Sequence, residues 1–119
     1  MLLEDIKAKL ETVDPHVFYG LVDESEITDE WNYTVFMRKS LGIEAQKRCY
    51  TDRFVVAVIR ENYIPEGLET AVIGVMCDIP GMRIADTDGQ YSYTRKPNTN
   101  TVVEVLTLEF VRARKRDAA

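Results

Sequence analysis

The chain is poor in the residues that carry most protein chemistry. Its 119 residues include one histidine, one tryptophan and two cysteines, and 15 lysines and arginines stand against 20 acids, for a formal net charge of −5. Each scarcity excludes something. Cys49 and Cys77 are too far apart for a CxxC pair and lack a histidine cluster to complete a zinc site, so two reduced thiols are expected, with Cys77 on or near the buried edge of a helix. A single imidazole, His16, makes no metal site, and no GxSxG pattern surrounds a nucleophile. The six glycines are scattered, which rules out a glycine-rich phosphate loop. Asp86, Asp88 and Gly89 supply only a fragment of the twelve-residue calcium pattern, and a turn accounts for them equally well. The shortage of positive charge argues against general or specific nucleic-acid binding. No apolar run approaches the roughly 20 residues that span a bilayer, and the opening Met1-Leu2-Leu3-Glu4-Asp5-Ile6-Lys7 is too acidic for a signal peptide. These absences describe a soluble, cytosolic protein of one domain, residues 1–119, with no cofactor, no metal and no catalytic set.

What the chain does have is a fold. Phe54-Val55-Val56-Ala57-Val58-Ile59 is an unbroken apolar strand, and a strand apolar on both faces must be covered on both. A helix opened by Pro65 follows, with Leu68, Val72, Val75, Met76 and Ile79 forming a stripe at helical spacing that ends at Pro80-Gly81. It supplies one cover. The other face must meet the first helix, a second sheet or another copy of the chain.

Around this block the elements fall in a consistent order. Leu3, Ile6, Leu10 and Val13 mark an amphipathic helix from about Leu2 to Thr12, stopped by Asp14-Pro15. Val17 to Val22 reads as a short strand with Gly20 as a bulge or close-approach point. Trp31 to Arg38 alternates, with Trp31, Tyr33, Val35 and Met37 on the drier face and Asn32, Thr34, Phe36 and Arg38 on the other. From Lys39 to Cys49 the apolar period disappears, which predicts a long exposed loop. Met82 to Ala85 and Gln90 to Thr94 are expected to form a hairpin through Asp88-Gly89, and Lys96 to Asn100 turns the chain into a last strand, Val102 to Val111. The predicted class is α+β: an antiparallel or mixed sheet packed against two helices.

Charge is concentrated at two places. Asp23, Glu24, Glu26, Asp29 and Glu30 form an acidic connector, and Arg112, Arg114, Lys115 and Arg116 lie in a basic C-terminal arm at about 112–119. Two accounts fit. Both clusters are solvated ends, or they are complementary patches of neighbouring subunits joined head to tail. Trp31, Tyr33, Tyr91 and Tyr93 are read as cross-strand packing pairs or an interface, with a stacking surface for single strands as the alternative.

Several segments carry a family likeness: Met1 to Leu10, Val17-Phe18-Tyr19-Gly20, Trp31 to Phe36, Arg60-Glu61-Asn62-Tyr63-Ile64-Pro65-Glu66-Gly67, and Lys96 to Asn100 through Phe110-Val111-Arg112. Together they cover nearly the whole chain and resemble small proteins of the head-tail module of siphophages and prophages of Gram-positive gut bacteria. The fold resembles the tail-terminator and tail-completion group. That resemblance implies a non-enzymatic subunit of a hexameric ring at the end of the tail tube, at a virion neck assembled in the bacterial cytoplasm. Its partners would be itself, tail-tube proteins and head-connector proteins, and connector and stopper roles stay open. The implied subunit interface is Asp23, Glu24, Glu26, Trp31, Tyr33, Arg112, Arg114, Lys115 and Arg116. The alternative is a small soluble enzyme or nucleic-acid-processing accessory that uses His16 with nearby acids, or the tyrosine face.

Overall fold

A computed structural model describes residues 2–22, 30–44 and 49–115. Helix α1 (Leu2–Glu11) is followed by strands β1 (Val17–Tyr19), β2 (Tyr33–Glu44) and β3 (Cys49–Glu61), helix α2 (Leu68–Cys77), and strands β4 (Met82–Ile84), β5 (Gln90–Arg95) and β6 (Val102–Lys115). The fold is α+β. Its six strands form one mixed sheet in the order β1-β2-β3-β6-β4, with β5 also on β6. Among the described residues β1 and β2 form the one parallel pair, and the other pairs are antiparallel.

Strand β3 is the axis of this sheet. It pairs with β2 from Glu44↔Cys49 to Tyr33↔Ile59 and with β6 from Cys49↔Lys115 to Glu61↔Val103. Its alternate residues therefore serve two layers. Phe54, Val56 and Val58 point with Phe36, Leu106, Leu108 and Phe110 toward the helices, where Ile6, Leu10, Val72 and Met76 close the main core. Val35, Ile59 and Val103 are buried on the opposite face, packed with Phe18, Tyr33, Met37, Ala57 and Val105. No helix covers that second face among the described residues; Val22 and Trp31, the flanks of the β1–β2 connection, pack there instead.

The helices lie together on one side because each has a single apolar stripe. Gly67, at φ +92, caps α2, and the Asp78 N–H bonds back to the Gly74 carbonyl at its end. The left-handed backbone at Gly67 is a conformation that glycine adopts without steric cost. Lys9 Nζ lies 2.5 Å from Asp78 Oδ2 and ties α1 to the end of α2.

Several features depart from the sequence reading. Residues 39–44 and 49, expected in a loop, belong to β2 and β3; residues 45–48 lie outside the described residues. These strands continue past the core as an arm whose third strand is the end of β6. Arg112 to Lys115 are accordingly part of the sheet and not a separate tail, and Arg116 lies outside the described residues. The arm explains the extents of 53 × 26 × 24 Å and the radius of gyration of 15.7 Å, above the roughly 13–14 Å of a compact chain of this length.

The expected β4–β5 hairpin does not form. Both strands pair with β6, β4 at Phe110 to Arg112 and β5 at Val102 to Thr107, so they follow one another along the same edge. The predicted β5–β6 hairpin is present, with the Lys96 N–H bonded to the Thr101 carbonyl. β2 has the two faces that its alternation predicts, and both are covered: Val35 is buried with Trp31, Tyr33 and Met37 around it on one, while Thr34 and Phe36, each 1% exposed, face the helices on the other. Cys77 is exposed rather than at a buried edge.

Truncation should separate core from edge. Phe110→Ala removes a fully buried ring beneath both helices and is expected to cost about 3–5 kcal/mol, whereas exposed Tyr91→Ala should stay within about 0.5 kcal/mol, measured by urea unfolding. The Lys9 hydrogen bond and charge hold the Asp78 carboxyl below its ordinary value. That contribution to stability is present above the unfolded-state value and is lost as pH falls through the lowered one. Lys9→Met should return Asp78 to the ordinary carboxylate range in an NMR titration.

Candidate functional site

The polar interior holds one elaborate cluster, where α1 hands over to β1. Asp14 is 2% exposed, and both of its oxygens are occupied. Oδ1 accepts the His16 backbone N–H at 3.0 Å; Oδ2 accepts the Thr34 hydroxyl at 2.6 Å and Arg60 Nη2 at 2.8 Å. Arg60 Nη1 donates in turn to the Tyr33 and Ile59 carbonyls, and the Thr34 N–H bonds to the His16 carbonyl. A buried ion pair of this kind needs its remaining donors and acceptors satisfied, and here they are. Among the described residues no buried side-chain nitrogen or oxygen lacks a partner.

This cluster floors an open depression lined by His16, Glu30, Asn32, Glu61 and Tyr63, the group on which a His16-based chemistry would draw. The His16 ring is exposed, and only its main chain engages Asp14. Glu61 accepts the Trp31 N–H and pairs with Lys96 at 3.2 Å, while its own N–H donates to Asn32 Oδ1. Each acid thus braces a strand junction. The arrangement fixes where β2 starts and seats Trp31 over the second face of the sheet.

The aromatic side chains read as packing pairs or an interface, with a single stacking surface as the alternative, divide between the two sides. Trp31 and Tyr33 belong to the second face, where Tyr33 meets Phe18 edge-on at 6.0 Å, and desolvation pushes the Tyr33 phenol up. Tyr91 and Tyr93 are paired with Leu106 and Glu104 on the helix side, at the free edge of β5, and are 52% and 63% exposed. A hydrogen bond from the Tyr93 hydroxyl to Glu104 raises the Tyr93 phenol. Two exposed tyrosines side by side give this edge the residue type enriched at interfaces.

The opposite edge differs in chemistry. β1 pairs only with Thr34 to Phe36, so β2 from Arg38 onward has an open side among the described residues. Where the arm leaves the body, a cleft of about 480 Å³ opens between the start of α1 and the strands. Leu2, Leu3, Leu41 and Phe54 give it apolar walls, and Arg38, Arg112 and Arg114 give it charge. Arg114 Nε pairs with Asp52 at 2.9 Å and its guanidinium lies 5.1 Å over the Tyr50 ring; Arg112 Nε donates to the Pro80 carbonyl. Arg38 is exposed and has no acidic partner among the described residues.

Of the interface residues expected from sequence, Arg112 and Arg114 therefore meet at this cleft, and Trp31 and Tyr33 sit together elsewhere. The Lys115 side chain, Arg116, Asp23, Glu24 and Glu26 lie outside what the structure describes. Arg38, Leu41 and the α1 leucines were missed; the clue available was the alternation of Leu41 and Ile43 inside the supposed loop. No protein-family model matches this chain, and no curated protein matches it in sequence. No helix among the described residues is long and apolar enough to cross a membrane.

Asp14→Ala should leave Arg60 charged and unpaired in the interior and strand the Thr34 hydroxyl. The expected loss is about 3–5 kcal/mol in chemical unfolding, and His16→Ala should cost far less because the ring takes no part in the brace.

Proposed function

We propose that this protein is a structural subunit of a phage or prophage head-tail junction, a tail terminator or head-tail joining protein that forms a ring at the end of the tail tube. The observation that carries the reading is the pair of unlike edges on one sheet. One edge presents Tyr91 and Tyr93 on β5, and the other presents the open side of β2 with the arm and its basic cleft. A head-to-tail ring needs two different complementary surfaces on each subunit, whereas a two-fold dimer needs one self-complementary patch. The family likeness of the chain supplies the biological setting.

The energetics suit such an assembly. Exposed ion pairs are worth about 0–1 kcal/mol, so charge orients the subunits while tyrosine and aliphatic surface holds them. Leu41 and Ile43, at 47% and 60% exposed, are apolar groups on an arm that reaches beyond its own core. Asp14 and Glu61, two of the acids that line the depression with His16, are engaged in bracing the fold, which favours assembly over an enzyme built on that histidine.

Particles made without this protein are expected to show over-long or headless tails by electron microscopy. Tailless heads filled with DNA would point instead to a connector, and normal virions would refute a junction role. Replacing Arg112, Arg114, Lys115 and Arg116 with Ser should weaken ring or tail attachment, most visibly at low salt, where charges are least screened. Unchanged assembly would remove these residues from the interface.

A further inference from the structure

We infer that the cleft at the root of the arm is a receptor for the acidic segment 23–30 of a second copy of this chain. This inference rests on the assembly reading above and gives one of its contacts a definite occupant. The argument begins with charge. Arg38, Lys39, Arg53, Arg112 and Arg114 line the cleft against a single carboxylate, Asp52, in a chain whose net charge is −5. Some of this charge is neutralised internally: Arg114 by Asp52, and Lys39 by Glu109 at 2.8 Å. Arg38 and Arg53 have no acidic partner among the described residues.

The chain itself contains the complementary sequence. Asp23-Glu24-Ser25-Glu26-Ile27-Thr28-Asp29-Glu30 carries five acids in eight residues around one isoleucine. Carboxylates match guanidinium groups through paired, charge-assisted hydrogen bonds, and Ile27 matches walls made by Leu2, Leu3, Leu41 and Phe54. A segment with both features fits this cleft better than a nucleic-acid backbone, which has no aliphatic group to offer. The flanks of the segment, Val22 and Trp31, pack on the face of the sheet opposite the helices, whereas Leu2, Leu3 and Phe54 place the cleft on the helix side. The donor is accordingly another copy. Segment and cleft are different patches, so each copy can give one and receive one.

The test uses the full chain and a fluorescein-labelled peptide spanning Val22 to Trp31, followed by anisotropy at low salt. Saturable binding is expected, weakened about tenfold or more by the double variant Arg38→Glu, Arg114→Glu. Both arginines are exposed, and thermal unfolding of the variant checks that the fold persists. A peptide with Glu24→Lys and Glu26→Lys should recover binding to the double variant, which a misfolded cleft would not allow. Absence of binding, binding indifferent to both arginines, or displacement of the peptide by a duplex oligonucleotide at equal concentration would overturn the inference. Light scattering on the unlabelled chain and on tail tubes reads the assembly proposal separately. Rings that form unaltered with the double variant would sink the cleft contact and leave the ring reading standing; peptide capture by a chain that never assembles would do the reverse.

Discussion

Strand β3 is apolar on both faces and hydrogen-bonded along both edges, and the architecture follows from satisfying it. Its thirteen residues are fully paired with β6, and β2 covers the other side, so no backbone group of its centre needs water. Side chains alternate, and burial of Phe54, Val56 and Val58 demands a layer above the sheet while Ala57 and Ile59 demand something below it. The two helices meet the first demand. Among the described residues the second is met more thinly, by Phe18, Val22, Trp31 and Tyr33, so the sheet has one face under two helices and one under side chains and loop flanks.

The Asp14–Arg60–Thr34 brace holds these layers in register. It joins the end of α1, the start of β2 and the end of β3, three places distant in sequence, through one carboxylate. Because a one-residue slip in a strand would exchange its faces, a fixed point at Thr34 also determines which side of β2 meets the helices. Glu61 performs a related task on the other side by holding the Trp31 main chain and Lys96. Polar groups that invite a catalytic reading in a list of residues are thus, in space, the fasteners of an interlocked sheet.

Elements with strong periodicity were legible in the sequence. Leu3, Ile6 and Leu10 marked α1, the unbroken run from Phe54 to Ile59 marked β3, and the Lys96 to Asn100 turn marked the β5–β6 hairpin. The arm was not, for a physical reason: it extends past the helices that bury the core, so its alternation is only two apolar residues long, Leu41 and Ile43, and its order comes from backbone pairing with β3 and β6. The depth of the helix-side face of β2 was not legible because Thr34 is polar by type yet buried against Asp14, a partner twenty residues away. β4 and β5 looked like a hairpin because they are neighbours in sequence, but β6 is long enough to seat both end to end. The cleft draws on α1, β2, β3 and β6, so no local window contains it, although two of its arginines had been singled out by their clustering.

The ladder between β2 and β3 slips by one position between Arg38 and Ser40, leaving Lys39 as an extra residue opposite none. Before the slip, even-numbered residues of β2 face the helices; beyond it, Leu41 and Ile43 do, opposite Asp52 and Tyr50. A single amino acid therefore acts as a parity switch for everything distal to it. In a ladder that ran on regularly through Lys39, Leu41 would stand opposite Thr51 and Ile43 opposite Cys49, and the arm's greasy side would turn to the other face without a change in any of its residues. Length, counted odd or even, is in this arm as much a determinant of surface chemistry as composition.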